Sequence, residues 1–141
     1  MRKRLLSLLF LSLYGSMLFA QEPLDINDVE RVPLGDFTYQ WRNIYDRTPL
    51  HGKCRIILSY RSYTIAHFNK DGILDGLYEK YEDNHLVQKL TYVKGILRGK
   101  GYEYYTDGTV KKECVWNEQG KIDAFMIEYN RIGRPEWDYK N

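Results

Sequence analysis

Three histidines, two cysteines, a scatter of carboxylates and thirteen tyrosines are the residues of this sequence with chemistry to offer. A metal centre or a general base would draw on His51, His67 and His85, yet no two of them stand at His-x-His or His-x3-His spacing. They read as surface histidines. Asp71-Gly72 and Asp75-Gly76 read as turn dipeptides, because Asp and Gly adopt the backbone angles that tight turns demand. A calcium loop would need alternating oxygen ligands and a distal Glu at fixed spacing, and that pattern is absent. Beyond residue 20 the serines are Ser59 and Ser62, neither in a Gly-x-Ser-x-Gly elbow, and no Gly-rich phosphate loop precedes a helix pattern. The expectation is therefore no catalytic set, no metal, no cofactor and a non-enzymatic role.

The elements that carry these residues repeat. Ile57, Tyr81, Tyr105 and Tyr129 fall at intervals of 24 residues, and Phe68, Tyr92 and Trp116 follow the first three by 11. Gly72, Gly95 and Gly120 come three or four residues after those aromatics, and Gly52, Gly76, Gly99 and Ala124 then open the next unit. This spacing gives three full units, 52–75, 76–98 and 99–123, and a closing half unit from Ala124. Units of this length that cannot bury a face alone must stack on their neighbours. The fold expected is all-β, with hairpins of about 24 residues stacked into one elongated twisted sheet of about eight or nine strands.

The order of an opening Gly, a Tyr-rich strand, an Asp-Gly or Asp-Asn turn, a second strand ending in an aromatic and a Gly-x-x-x-Gly restart (Gly72 to Gly76, Gly95 to Gly99) resembles the bacterial variant of the MORN repeat. The resemblance covers about two thirds of the chain and is specific for fold rather than function. Some bacterial families built from these repeats are labelled antitoxin components of toxin-antitoxin modules. For this chain the resemblance implies such a role only in an exported, immunity-like form.

Turn chemistry sets the expected register. Asp107-Gly108 predicts a type I′ turn, with Tyr105 opposite Val110, Glu103 opposite Lys112 and Gly101 opposite Cys114. A shift of 24 puts Asp83-Asn84 at the equivalent turn, with Tyr81 opposite Leu86 and Leu77 opposite Leu90; in the first unit Ser59-Tyr60 takes that place. On this register Ile57, Tyr81, Tyr105 and Tyr129 share the inner face with Phe68, Tyr92 and Trp116. Tyr78, Tyr102 and Tyr104 fall on a mixed outer face beside Lys80, Lys89, Lys111 and Glu113. Cys54 and Cys114 lie five strands apart, about 24 Å at the usual strand spacing. That exceeds the reach of a disulfide, so free thiols are expected.

Residues 1–20 read as a secretory signal peptide: Arg2, Lys3 and Arg4, then an apolar run from Leu5 to Phe19, then Ala20 before Gln21. The run is shorter than the roughly 20 residues a spanning helix needs, so no stable membrane insertion is expected after cleavage. Its removal takes the formal charge from +2 to −1, which leaves no electrostatic footprint for nucleic acid. Residues 21–51 read as an N-terminal arm and a decayed capping half repeat. Within them residues 21–35 suit either a short helix capped by Asp25 or an extended arm packed on the sheet, and Phe37, Tyr39 and Trp41 alternate as in a strand. Residues 52–141 are the hairpin repeats, and Trp137 and Tyr139 either close the stack or stay available to a partner.

These features point to an exported β-repeat module, periplasmic or secreted, that binds another protein, with Tyr78, Tyr102 and Tyr104 as the contact surface. Glycan or peptidoglycan binding through exposed aromatic rings is the alternative.

Overall fold

The computed structural model describes residues 21–135. The signal segment, Trp137 and Tyr139 lie outside them. The chain is nearly all β, with two sheets. In chain order the strands are β1 (Leu24–Asp25), β2 (Val29–Gly35), β3 (Thr38–Asn43), β4 (Gly52–Ser59), β5 (Ser62–Phe68), β6 (Leu74–Glu82), β7 (His85–Val93), β8 (Ile96–Leu97), β9 (Gly99–Tyr104), β10 (Val110–Trp116) and β11 (Ile122–Glu128). The large sheet runs β1-β4-β5-β6-β7-β9-β10-β11, with β8 attached to β7. All its pairings are antiparallel except β1 on β4, so the sheet is an open run of hairpins. Among the described residues no helix is long and apolar enough to cross a membrane.

Four turns share one construction. In Asn69–Gly72, Tyr105–Gly108, Asn117–Gly120 and Asn130–Gly133 the glycine N–H donates to the first residue's carbonyl at 2.9–3.1 Å, and each glycine is left-handed. This is a type I turn followed by a left-handed residue, the usual three-residue hairpin. At Asn69, Asn117 and Asn130 the side-chain Oδ1 accepts two further backbone N–H groups, fixing the turn. Asp107-Gly108 is thus not the type I′ turn expected: Asp107 accepts from the Thr109 amide and hydroxyl at 2.9 and 2.6 Å, and Val110 pairs with Tyr104 instead of Tyr105. Further along that hairpin Glu103 faces Lys112 and Gly101 faces Cys114, as expected. Asp83 and Asn84 do form the type I′ pair, with φ 48° and 63°. Tyr81 therefore meets Leu86, but a bulge at Val87 then moves Leu90 opposite Tyr78 instead of Leu77. In the first unit the turn falls on Tyr60-Arg61, between paired Ser59 and Ser62, one residue later than expected. Gly76 lies inside β6 against His67, where the ladder to β5 is irregular, so Asp75-Gly76 is not a turn.

These one-residue shifts decide which face is buried. Continuous cross-strand rows run Cys54, Ala66, Tyr78, Leu90 and Ile56, Thr64, Lys80, Gln88 on one face, with Arg55, Ile65, Glu79, Lys89, Tyr102 and Ile57, Tyr63, Tyr81, Leu86 on the other. The first face holds the core of Leu50, Cys54, Ile56, Ala66, Phe68 and Leu74, with Tyr78 and Tyr92 packed against it. The first expected column is therefore split between the faces, Tyr105 lying beside the inner-row residues Lys80, Gln88 and Glu103. Phe68 and Tyr92 are inside, and Ile57 and Tyr81 are outside. Trp116 also lies inside, over Gly101, where an added Cβ would sit 2.5 Å from its ring.

Residues 21–51 cover this core. Rather than adding a half hairpin to the ladder, β2 and β3 pair with each other as a second sheet, preceded by a single 3-10 turn at Ile26–Asp28 that Asp25 caps. Trp41 packs on Phe68 with ring centroids 5.7 Å apart, and its N–H donates to the Gly72 carbonyl at 2.7 Å. Small residues in β5, Thr64 and Ala66, let the cover approach, and Ile56 is left 1% exposed. Burying an aliphatic side chain of that size stabilises by about 1.5–3 kcal/mol.

Cys54 and Cys114 are both free. Burial pushes each thiol above its ordinary pKa, and Cys54 is the more enclosed, its Sγ 3.1 Å from the Gln21 carboxamide oxygen. A raised pKa lowers the thiolate fraction, which is the reactive form. A quantitative thiol reagent is expected to count two thiols in denaturant and, in native buffer, to modify Cys114 well before Cys54. Equal native rates would contradict the burial of Cys54 beneath residues 21–51.

Candidate interaction surface

The face of the large sheet that no other described element covers carries a strip of half-buried tyrosines held in place by strand pairing. Tyr63 on β5 and Tyr81 on β6 are directly opposed, and their rings stack at 4.8 Å and 9°. Such a pair contributes about 0.5–1.5 kcal/mol beyond its buried area. The Arg55 guanidinium lies 4.0 Å over the Tyr63 ring. Tyr81 donates its hydroxyl to Glu79 at 3.4 Å. On β9, Tyr102 and Tyr104 project to the same side two residues apart, with ring centroids 6.1 Å apart and 30° between planes. Lys89 stands opposite Tyr102, and Glu113 opposite it on the other side, where Glu113 also pairs with Lys100 at 2.7 Å.

Glu79 joins the two tyrosine pairs electrostatically. Partial burial raises the phenol pKa of Tyr81, and Glu79 adds to it. The same holds for Tyr104, where burial leads, followed by Tyr102 and Glu79. Tyr81 and Tyr104 are therefore held in the neutral form, with the Tyr81 hydroxyl already given to Glu79. At the strip's end a shallow depression of about 220 Å³ opens between Arg55, Tyr63 and the Tyr60-Arg61 turn, where Arg61 is paired to Asp83.

Of the three tyrosines expected to form a contact surface, Tyr102 and Tyr104 do lie together on this face. Tyr78 does not. It faces the core, edge-on to Tyr92 at 6.1 Å and 68°, and burial raises its phenol pKa. Tyr63 and Tyr81 take its place in the strip, and sequence reasoning missed both. The signal that marks them is the alternation in β5: small Thr64 and Ala66 at the buried positions leave Tyr63 and Ile65 on the outer side. The histidines do not converge, and among the described residues no group of three His, Cys, Asp or Glu side chains is placed to hold a metal ion.

What this arrangement can do chemically is present rings, neutral hydroxyls and fixed charges on a broad, nearly flat face. The fold and its surfaces define an open hairpin-stack β protein with one face half covered and the other left uncovered by the described residues. No protein-family model and no curated protein sequence matches the chain. Among solved structures it is similar to TarM, at 14% identity and a TM-score of 0.38, covering 82% of this chain and 21% of that one. A mutant of S. aureus TarM in complex with fondaparinux, alpha-GlcNAc-glycerol and UDP is similar at 12% identity and a TM-score of 0.33, with 92% and 21% covered. The chain thus spans about a fifth of the length of these structures.

Proposed function

We propose that this chain is an exported, non-enzymatic module of MORN-like hairpin repeats that binds another protein in the cell envelope or outside the cell. The observation that carries the reading is the bare tyrosine strip of Tyr63, Tyr81, Tyr102 and Tyr104, interleaved with Arg55, Glu79, Lys89 and Glu113. Tyrosine and arginine are the residues that dominate protein interfaces, because they bring large rigid area and a polar tip together. The signal-like sequence of residues 1–20 supports export. An immunity-like role against an exported toxin is a special case of this function.

The test uses the chain expressed with its own leader and recovered from the envelope or medium by chemical cross-linking. The expected result is one reproducible protein partner, whose affinity falls about tenfold or more in Tyr102→Ser/Tyr104→Ser. The control variant Phe37→Ser, at a 95% exposed ring on the small sheet, is expected to bind as the parent does. If the double variant retains full binding, the outer face is not the contact. Retention by peptidoglycan or a glycan array, with no protein captured, would transfer the strip to glycan binding.

A further inference from the structure

The inner face changes character where its cover ends. One register row reads Ile56 and Thr64 under the small sheet, then Lys80, Gln88, Glu103, Lys112 and Glu128 beyond it. Above that charged half lies an open groove of about 400 Å³, lined among others by Lys80, Gln88, Glu103, Tyr105, Lys111 and Arg131. Tyr105 is its fixed point, since its hydroxyl donates to the Tyr129 carbonyl at 3.1 Å. Two cations fold in over that ring, Lys111 with Nζ at 5.9 Å from the centroid and Arg131 with Cζ at 5.5 Å. Lys111 is positioned by the irregular pairing between Val110 and Lys112, and Arg131 by the Asn130–Gly133 turn.

The charges of the groove do not cancel. Lys80 is paired to Glu82 at 2.7 Å. Glu103 faces Lys112 across the ladder, but Lys112 pairs with Glu128 at 3.6 Å, so the lining holds three cations (Lys80, Lys111, Arg131) against two carboxylates (Glu82, Glu103), a net charge of +1. Asp107 lies within the field of Arg131, but its carboxylate is held first by the Thr109 hydroxyl and amide. Lys111 and Arg131 are left with no carboxylate in ion-pair contact among the described residues. We propose that this groove binds an acidic peptide segment, with two of its carboxylates on Lys111 and Arg131. Gln88 and Thr106 border the groove and offer amide and hydroxyl groups to a peptide backbone. The ring at its centre lies under the cations instead of open to a stacked sugar. Lys80, Gln88 and Glu103 of the groove lie on the face opposite the tyrosine strip, although Tyr104 also borders it. The Lys111→Ala/Arg131→Ala variant leaves the strip's tyrosines in place, so it tests this site separately from that reading.

The probe is a fluorescent hexaglutamate peptide, and the readout is anisotropy with the full exported chain. Binding is expected at about 50 mM salt and should weaken strongly by about 300 mM, as exposed charge pairs are screened. Lys111→Ala/Arg131→Ala should reduce affinity about tenfold, at the upper end for two exposed pairs. Lys53→Ala/Lys70→Ala removes the same net charge from exposed sites elsewhere and should change affinity less than about twofold. The proposal is overturned if hexaglutamate does not bind at low salt, or if the two double variants lose affinity equally. It is also overturned if oligogalacturonate or pyrophosphate displaces the peptide at equal charge concentration, since the groove would then recognise anions of another class.

Discussion

Alanine in place of Gly72 is expected to lower the stability of the fold by about 3 kcal/mol or more, whereas alanine at Gly108 lowers it by about 1. Both glycines close the same kind of turn in the same left-handed conformation, with φ 76° and 86°. Each substitution therefore carries the backbone cost of holding a β-carbon in that region, on the order of 1 kcal/mol. The difference lies in what surrounds them. A Cβ at Gly108 meets nothing within 4 Å, but at Gly72 it runs into the backbone carbonyl oxygen of Trp41 and crowds Pro49 at 3.1 Å. That carbonyl accepts from Leu50 N–H at 2.9 Å, and the Trp41 N–H donates to Gly72 itself at 2.7 Å. Backbone on both sides has no rotamer to give, so the small sheet must lift. Two hydrogen bonds at about 1 kcal/mol each, plus loosened Trp41–Phe68 packing, make up the remainder. Urea titration of the two variants measures the contrast. Equal losses would mean that residues 21–51 are not locked to the large sheet through this turn.

The same turns explain how much of the fold was legible in the sequence. Strands, hairpin order and the type I′ pair at Asp83-Asn84 could be read because glycine, asparagine and alternating apolar residues signal backbone angles locally. The faces could not. A one-residue slip moves a whole strand's side chains to the other side of the sheet, so a turn misplaced by one residue inverts a column. Tyr60-Arg61 carries neither glycine nor asparagine to mark its turn, and the bulge at Val87 has no sequence signature. The glycines opening the units give a quiet warning: Gly52 to Gly76 is 24 residues, but Gly76 to Gly99 is 23. An odd difference exchanges faces, so the counterpart of Tyr78 in the third unit is Gly101 and not Tyr102. Tyr102 and Tyr104 remained a true pair because they sit two apart on one strand, where no turn intervenes. The small sheet was illegible for another reason, since its place depends on long-range contacts such as Trp41 with Phe68.

Phe68→Ala is expected to lower stability by about 3–5 kcal/mol, the range for removing a buried aromatic from a core that cannot fully collapse. Phe68 is 4% exposed, sits at the seam of β4, β5 and β6, and supports Trp41 from below. Its loss leaves a cavity under residues 21–51, the described segment that covers the inner face, so transfer and cavity terms add. Tyr81→Ala should lower stability by about 1.5 kcal/mol or less, because that ring stacks on Tyr63 on the bare face and its loss opens no cavity. Both measurements are made by urea titration, with the slope compared so that a change in cooperativity is not taken for a change in stability. A larger loss at Tyr81 than at Phe68 would place the core on the face assigned here to solvent. It would also remove the tyrosine strip as a contact surface, since rings that carry the fold are not free to meet a partner.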